Sequence, residues 1–197
     1  NPKLNSSQPR PVISAQPSAY TGTVGGVASF TVSASNPPGV AAGLTYQWTK
    51  DGTPVSGANE STLTLSSLTV SSSGAYRATI SNPYGTVDSS SVVLTVNKAA
   101  PVLAWIPSPA ATLIYPAPLS SSQLNATSSV AGTFAYNPTN GSILNVGTNV
   151  LVATFTPADT NNYISGGTIT NTVVVTNIPA TITLSSTAGS YALLQGA

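Results

Sequence analysis

The stretch Leu44-Thr45-Tyr46-Gln47-Trp48-Thr49-Lys50-Asp51-Gly52 decides how the rest of the chain is read. Tyr46 and Trp48 stand two apart, so in an extended strand they share one face, and Asp51-Gly52 is a dipeptide that can turn the chain back. Farther on, Ser72-Ser73-Gly74-Ala75-Tyr76 leads into Arg77-Ala78-Thr79-Ile80-Ser81, and Asn82-Pro83-Tyr84-Gly85 again has turn chemistry. Working outward, short runs rich in Val, Thr, Ile, Leu and Tyr alternate apolar with polar residues, and clusters of Gly, Pro, Asn and Ser separate them. Strands are predicted over 27–34, 44–49, 61–68, 75–81 and 90–96, then over 113–115, 132–136, 149–155 and 168–175. No window shows helical apolar spacing, and 16 Pro with 16 Gly would interrupt most helices.

The chain has 197 residues, a length that suits one large domain or two of about 100 residues. Its charge content is low: 5% of residues are charged, against about 25% in an average domain, and the net charge is +1. No basic stripe is present to grip a phosphate backbone, so nucleic acid is not an expected partner. Cys, Met and His are absent, which removes disulfides, thiolate nucleophiles and imidazole chemistry together. No run of about 18 apolar residues occurs, so no membrane span is expected. The first residues, Asn1-Pro2-Lys3-Leu4, carry no basic and apolar leader, and a signal peptide is expected to be removed or to lie upstream.

The order Trp48, Asp51-Gly52, Gly74-Ala75-Tyr76 and Asn82–Gly85 resembles cysteine-free immunoglobulin-like domains of the I-set or V-like type over roughly residues 11–97. The resemblance implies a β-sandwich with Trp48 in its core, Tyr76 as a tyrosine corner and Asn82–Gly85 as the turn between the last two strands. The family's paired cysteines would fall at Val32 and Ala78, where apolar packing must replace the cross-link. Ser72 stands where the family usually has an Asp. A second set of phrases, Gly132-Thr133-Phe134-Ala135-Tyr136-Asn137-Pro138 and Phe155-Thr156-Pro157-Ala158-Asp159-Thr160-Asn161-Asn162-Tyr163, resembles a bacterial immunoglobulin-like repeat of large surface and secreted proteins over about 98–177. There Pro116 replaces the usual Gly after the Tyr, here Tyr115.

The expected architecture is therefore all-β, with tandem immunoglobulin-like β-sandwiches. Residues 1–10 form an extension, 11–97 the first domain and 98–177 the second; 178–197 form a tail strand or the start of a further repeat. Val96-Asn97-Lys98-Ala99-Ala100-Pro101 reads as the junction, a place where a protease would cut first. In the tail, Thr181-Ile182-Thr183-Leu184 alternates like a strand in need of a sheet edge.

The chemistry expected of an enzyme is missing. The acids are Asp51, Glu60, Asp88 and Asp159, scattered over turns and strand ends, whereas glycoside hydrolysis needs two carboxylates about 5–9.5 Å apart. Asp159 is read as a turn cap, and no catalytic, cofactor or metal residue is assigned. Lys98, Asp159 and Asn171 could be proposed as the members of an intramolecular isopeptide bond. Asn5, Asn59, Asn125 and Asn140 begin glycosylation sequons. Tyr20, Tyr84 and Tyr191 are candidate contact aromatics. The function expected is a non-enzymatic spacer, fibre or filament module of a bacterial surface or secreted protein. Its partners would be other copies or neighbouring repeats, joined by strand addition. An adhesin or carbohydrate-binding module contacting glycans or surface proteins, or accessory domains of a larger secreted enzyme, are the alternatives.

Overall fold

The computed structural model describes residues 9–106 and 112–178. Contacts divide these into two compact units. The first takes in the described parts of Asn1–Leu103 with Ser128–Phe134 and Thr154–Thr168; the second takes in those of Ala104–Thr127, Ala135–Ala153 and Ile169–Ala197.

The first unit opens with β1 (Val12–Ala15), β2 (Tyr20–Thr23), β3 (Ala28–Thr31), β4 (Ser33–Ser35), β5 (Thr45–Lys50), β6 (Thr53–Pro54), β7 (Thr62–Leu65), β8 (Gly74–Asn82), β9 (Gly85–Asp88) and β10 (Val92–Asn97). The larger sheet has the order β2-β10-β8-β5-β6, with β9 also on β8. Opposite it, β1 pairs with β4 and β3 with β7. Asp51 and Gly52 both take positive φ, 49° and 82°, and Lys50 pairs with Thr53. That is the left-handed pair a two-residue hairpin needs, so the Asp-Gly turn forms where the sequence places it. Asn82 likewise pairs with Gly85 across Pro83 and Tyr84.

Alternation delivers the core. In β10, Val92, Leu94 and Val96 are buried while Val93, Thr95 and Asn97 are exposed. Trp48 is fully buried, and its Nε1 donates to the Glu60 carbonyl at 3.0 Å. Phe30 stacks on Tyr76 at 5.3 Å and lies 6.3 Å from Trp48. Val32 and Ala78, at the positions where cysteines are absent, are both buried in this cluster. Ser89 makes up for a one-residue slip between β9 and β10: its N–H donates to Ala78 O at 2.8 Å, and its Oγ accepts the Ala78 N–H at 2.9 Å. The Tyr76 hydroxyl donates to Ser72 O at 2.8 Å, which is the expected tyrosine corner. Ser72 sits at the end of a short 3-10 turn, Val70–Ser72, and its Oγ accepts the N–H of Thr69 at 3.1 Å. The hydroxyl thus closes the turn locally without an Asp.

The later strands are β11 (Leu103–Ala104), β12 (Thr112–Ile114), β13 (Thr127–Ser128), β14 (Gly132–Asn137), β15 (Gly147–Pro157) and β16 (Gly167–Thr176). The sheet order is β12-β16-β15-β14, with β12 running parallel to β16. Strand β15 ends at Pro157, which has no N–H to extend a ladder. In the second unit Trp105 is buried; its Nε1 donates to Gln123 O at 2.9 Å and its ring meets Tyr136 edge-on at 5.4 Å. The turn at Pro116 is closed by the Ala117 N–H on Ile114 O, 2.8 Å, and the Tyr115–Pro116 peptide is cis. Thr181–Leu184 lies outside the described residues.

Candidate interaction site

Three of the four acids are engaged by local structure through their carboxylates. Asp51 Oδ1 accepts the Ala75 N–H at 2.8 Å, and its Oδ2 meets Lys50 Nζ at 2.9 Å. The Ala75 amide first, then Lys50, hold its carboxyl below the ordinary carboxylate range. Asp88 pairs with Arg77 at 3.2 Å and accepts the Thr79 hydroxyl at 2.6 Å. Glu60 lends its backbone carbonyl to Trp48. Among the described residues no three His, Cys, Asp or Glu come together as a metal group. Burial raises the Tyr76 hydroxyl above its ordinary value, as its place in the core requires.

Asp159 has the most elaborate surroundings. Its Oδ1 accepts the N–H groups of Asn161 and Asn162, both at 3.1 Å, and its Oδ2 accepts Asn162 Nδ2 at 2.7 Å. The turn-cap reading of the sequence is what the structure contains. Asn162, so oriented, turns its Oδ1 to the N–H of Val70 at 2.8 Å, the first residue of the 3-10 turn. That N–H belongs to a helix terminus with no internal acceptor, so a fixed amide oxygen satisfies it. Next to it Lys98 Nζ donates to Thr160 O at 2.8 Å, and Ala99 exchanges backbone bonds with Asn162 and Ile164, each 3.0 Å. Val70, Ser71, Lys98, Asn161 and Asn162 line a pocket of about 420 Å³ there. All of this lies within the first unit. The Lys98 ammonium is thus engaged by a carbonyl, and the Asn171 Oδ1 accepts the Thr172 N–H at 2.8 Å.

Two expectations arise from this clasp. The bond of Asn162 first, with the amides of 161 and 162 and the charge of Lys98, depresses the Asp159 pKa. A carboxyl depressed in the folded state contributes above its unfolded pKa, and the contribution is lost as pH falls through the folded value. Protection of the Val70 amide from hydrogen exchange is therefore expected to hold at neutral pH and to fall on acidification below the ordinary carboxylate range. An Asp159→Ala chain should show low protection at both pH values. The second expectation concerns the segment 97–101, which the clasp ties down. Asn162→Ala is expected to speed its cleavage by a protease several-fold, and an unchanged cutting rate would show that the clasp does not guard the segment.

A second feature lies on the sandwich itself. Val55, Gly57, Glu60, Leu63, Leu65 and Ser72 are among the residues lining a groove of about 410 Å³ beside β7. Among the described residues β7 pairs with β3 alone. In a constant-type immunoglobulin sandwich a further strand occupies that side.

The candidate aromatics do not gather. Tyr20 and Tyr84 are both exposed, at 42% and 46%. Tyr20 opens β2 opposite Leu94, whereas Tyr84 is in the turn before Gly85. At about 3.3 Å per residue the two are some 25–30 Å apart along the strand. Tyr191 lies outside the described residues. Sequence reasoning missed Asn162 as a distant partner, since its acceptor role spans 92 positions.

Residues 10–82 match the family model of the immunoglobulin domain. The first sandwich is an immunoglobulin domain that contains no cysteine. Among the described residues the chain is nearly all-β, the 3-10 turn Val70–Ser72 apart, with immunoglobulin-like sandwiches in tandem. Endoglucanase C of Cellulomonas fimi is 35% identical over 97 residues, 49% of this chain, and the match spans 9% of that protein. Among solved structures, the titin fragment I67–I69 shares 13% identity, covering 85% of this chain and 66% of that one with a TM-score of 0.43. The titin M4 domain shares 21% identity over 46% of this chain and 98% of its own length, with a TM-score of 0.39.

Proposed function

We propose that this chain is a non-catalytic structural part of a larger bacterial protein that works outside the cell. Residues 11–97 and 98–177 serve as spacer modules, and 178–197 as a connecting strand or the start of a further repeat. The observation that carries this reading is where the ionised and polar side chains are spent. Asp51, Asp88 and Asp159 each close a turn or bridge neighbouring strands, and Glu60 is the one acid lining the groove beside β7. A reaction needs such groups converging on a substrate. The test is an assay of the purified chain against cellulose and other glycans. No product is expected; turnover that disappears when one of the four acids is replaced would overturn the reading.

The likeness to a small part of Endoglucanase C favours a second reading, in which these modules are accessory domains of a secreted enzyme. Among the described residues the exposed aromatics Tyr20, Tyr84 and Tyr115 lie on separate elements, which favours the first reading. The same material mixed with insoluble cellulose distinguishes the two readings. A spacer stays in solution, whereas an accessory module that delivers an enzyme to its substrate is depleted.

A further inference from the structure

The groove beside β7 runs along the side of its sheet that has no strand neighbour among the described residues. The Val32 N–H donates to Ser61 O at 3.0 Å, and Thr31 pairs with Thr62, so residues 61 and 32 form a hydrogen-bonded pair. Such pairs alternate along an antiparallel ladder, so Leu63 and Leu65 direct their N–H and C=O toward β3. Thr62, Thr64 and Ser66 direct theirs to the outer side, where β7 has no strand neighbour among the described residues. The side chains complete the picture. Leu63 is buried and Leu65 half-buried on the core face, while Thr62 and Thr64 are exposed. A strand laid along this edge must be apolar at every second residue to extend the core face.

One segment of the chain has that form. Thr62-Leu63-Thr64-Leu65-Ser66-Ser67 is matched by Thr181-Ile182-Thr183-Leu184-Ser185-Ser186, which differs only by Ile for Leu at the second position. Resting on the reading of this chain as a structural module, we propose that the free edge of β7 is a strand-addition site and that its occupant is residues 181–186 of a second copy. The register is antiparallel, with Thr64 opposite Thr183, Leu63 opposite Leu184 and Leu65 opposite Ile182. Opposed residues in such a pair share a face, so the added Ile and Leu extend the apolar side. The paired threonines repeat on the outside the hydroxyl contact that Thr31 and Thr62 make at 2.9 Å across the inner pair. A second copy is the occupant because charge is sparse, 5% of residues, and copies meet little repulsion. Head-to-tail addition of this kind has no need to close and grows into a filament.

The test is sedimentation of the full chain over a hundredfold range of concentration, with two variants. Thr64→Pro removes an outward N–H but none of the bonds to β3, and proline is tolerated on edge strands. Thr183→Pro disrupts the incoming strand and alters none of the described residues. The unaltered chain is expected to associate as concentration rises, and each variant to sediment as a monomer. A mixture of the two variants should not recover growth beyond dimers, since each retains one working half. Amide protection at Thr62 and Thr64 should rise with association. A chain that stays monomeric at every concentration, or variants that assemble like the parent, would overturn the proposal. Protection of Thr64 in a dilute monomer would overturn it too, by showing the chain's own tail in place. The glycan assays described above read turnover and binding, not size, so a failure here leaves the spacer reading standing and the reverse also holds.

Discussion

Trp48→Ala is expected to destabilise the first sandwich by about 3–5 kcal/mol, the range for deleting a large aromatic from a core. Trp48 is fully buried, flanked by Phe30, and paired in register with Ala78. Truncation leaves a cavity that β-sheet backbones cannot close. It also strips the Glu60 carbonyl of its 3.0 Å donor. Domains of this kind have only about 5–15 kcal/mol in total, so the loss consumes about a fifth of it or more. Trp48→Phe separates the two contributions, because it keeps most of the apolar volume and removes only the donor. Denaturant melts of the three chains measure this directly. A Trp48→Ala midpoint equal to that of the parent would mean that the aromatic cluster does not hold the sheets together.

Gly132→Ala is expected to cost about 1–3 kcal/mol, as overpacking does, at the upper end because backbone is involved. Gly132 begins β14, and a β-carbon there would run into the Phe155 ring and the Thr156 carbonyl oxygen. Phe155 cannot yield readily: it is buried and packs on Phe134 with ring centres 4.9 Å apart. A shift of about 4–8 °C in melting temperature per kcal/mol makes the effect easy to see in a domain of about 100 residues. Gly43→Ala is the control, since a β-carbon there meets nothing within 4 Å. Equal melting of the two variants would show that β14 and β15 are less closely apposed than described.

These two positions also show what the sequence can and cannot reveal. Trp48 was legible because its evidence is local: a two-residue alternation, an Asp-Gly turn and a strand pair that follows at the right spacing. The turn at Asp159 was legible for the same reason, since its partners lie within three residues. The other half of that clasp was not. Asn162 reaches an N–H 92 positions away, and nothing in a polar Asp-Thr-Asn-Asn run distinguishes an amide with a distant partner from one facing water. Strand β2 was missed because it is mostly exposed and owes its place to parallel pairing with β10, which leaves no periodic apolar mark. The 3-10 turn at Val70–Ser72 was missed because a single turn is too short to display a period. The free edge of β7 belongs to a third kind: the strand is plain in the sequence, but that it has a neighbour on one side only is a fact of topology.

The poverty of charge has a consequence for the setting in which such a molecule can serve. The two ion pairs among the described residues, Lys50 with Asp51 and Arg77 with Asp88, have partly exposed side chains, and pairs of that kind contribute about 0–1 kcal/mol. Apart from the local bonds made by Asp51, Asp88, Asp159 and Lys98, the described residues are held by apolar contact and by bonds between neutral groups, which dissolved ions screen little. Its melting point should therefore stay nearly level from dilute buffer to brine. A sandwich built this way keeps its fold when the salt around it rises or falls, with no need to adjust its composition to each.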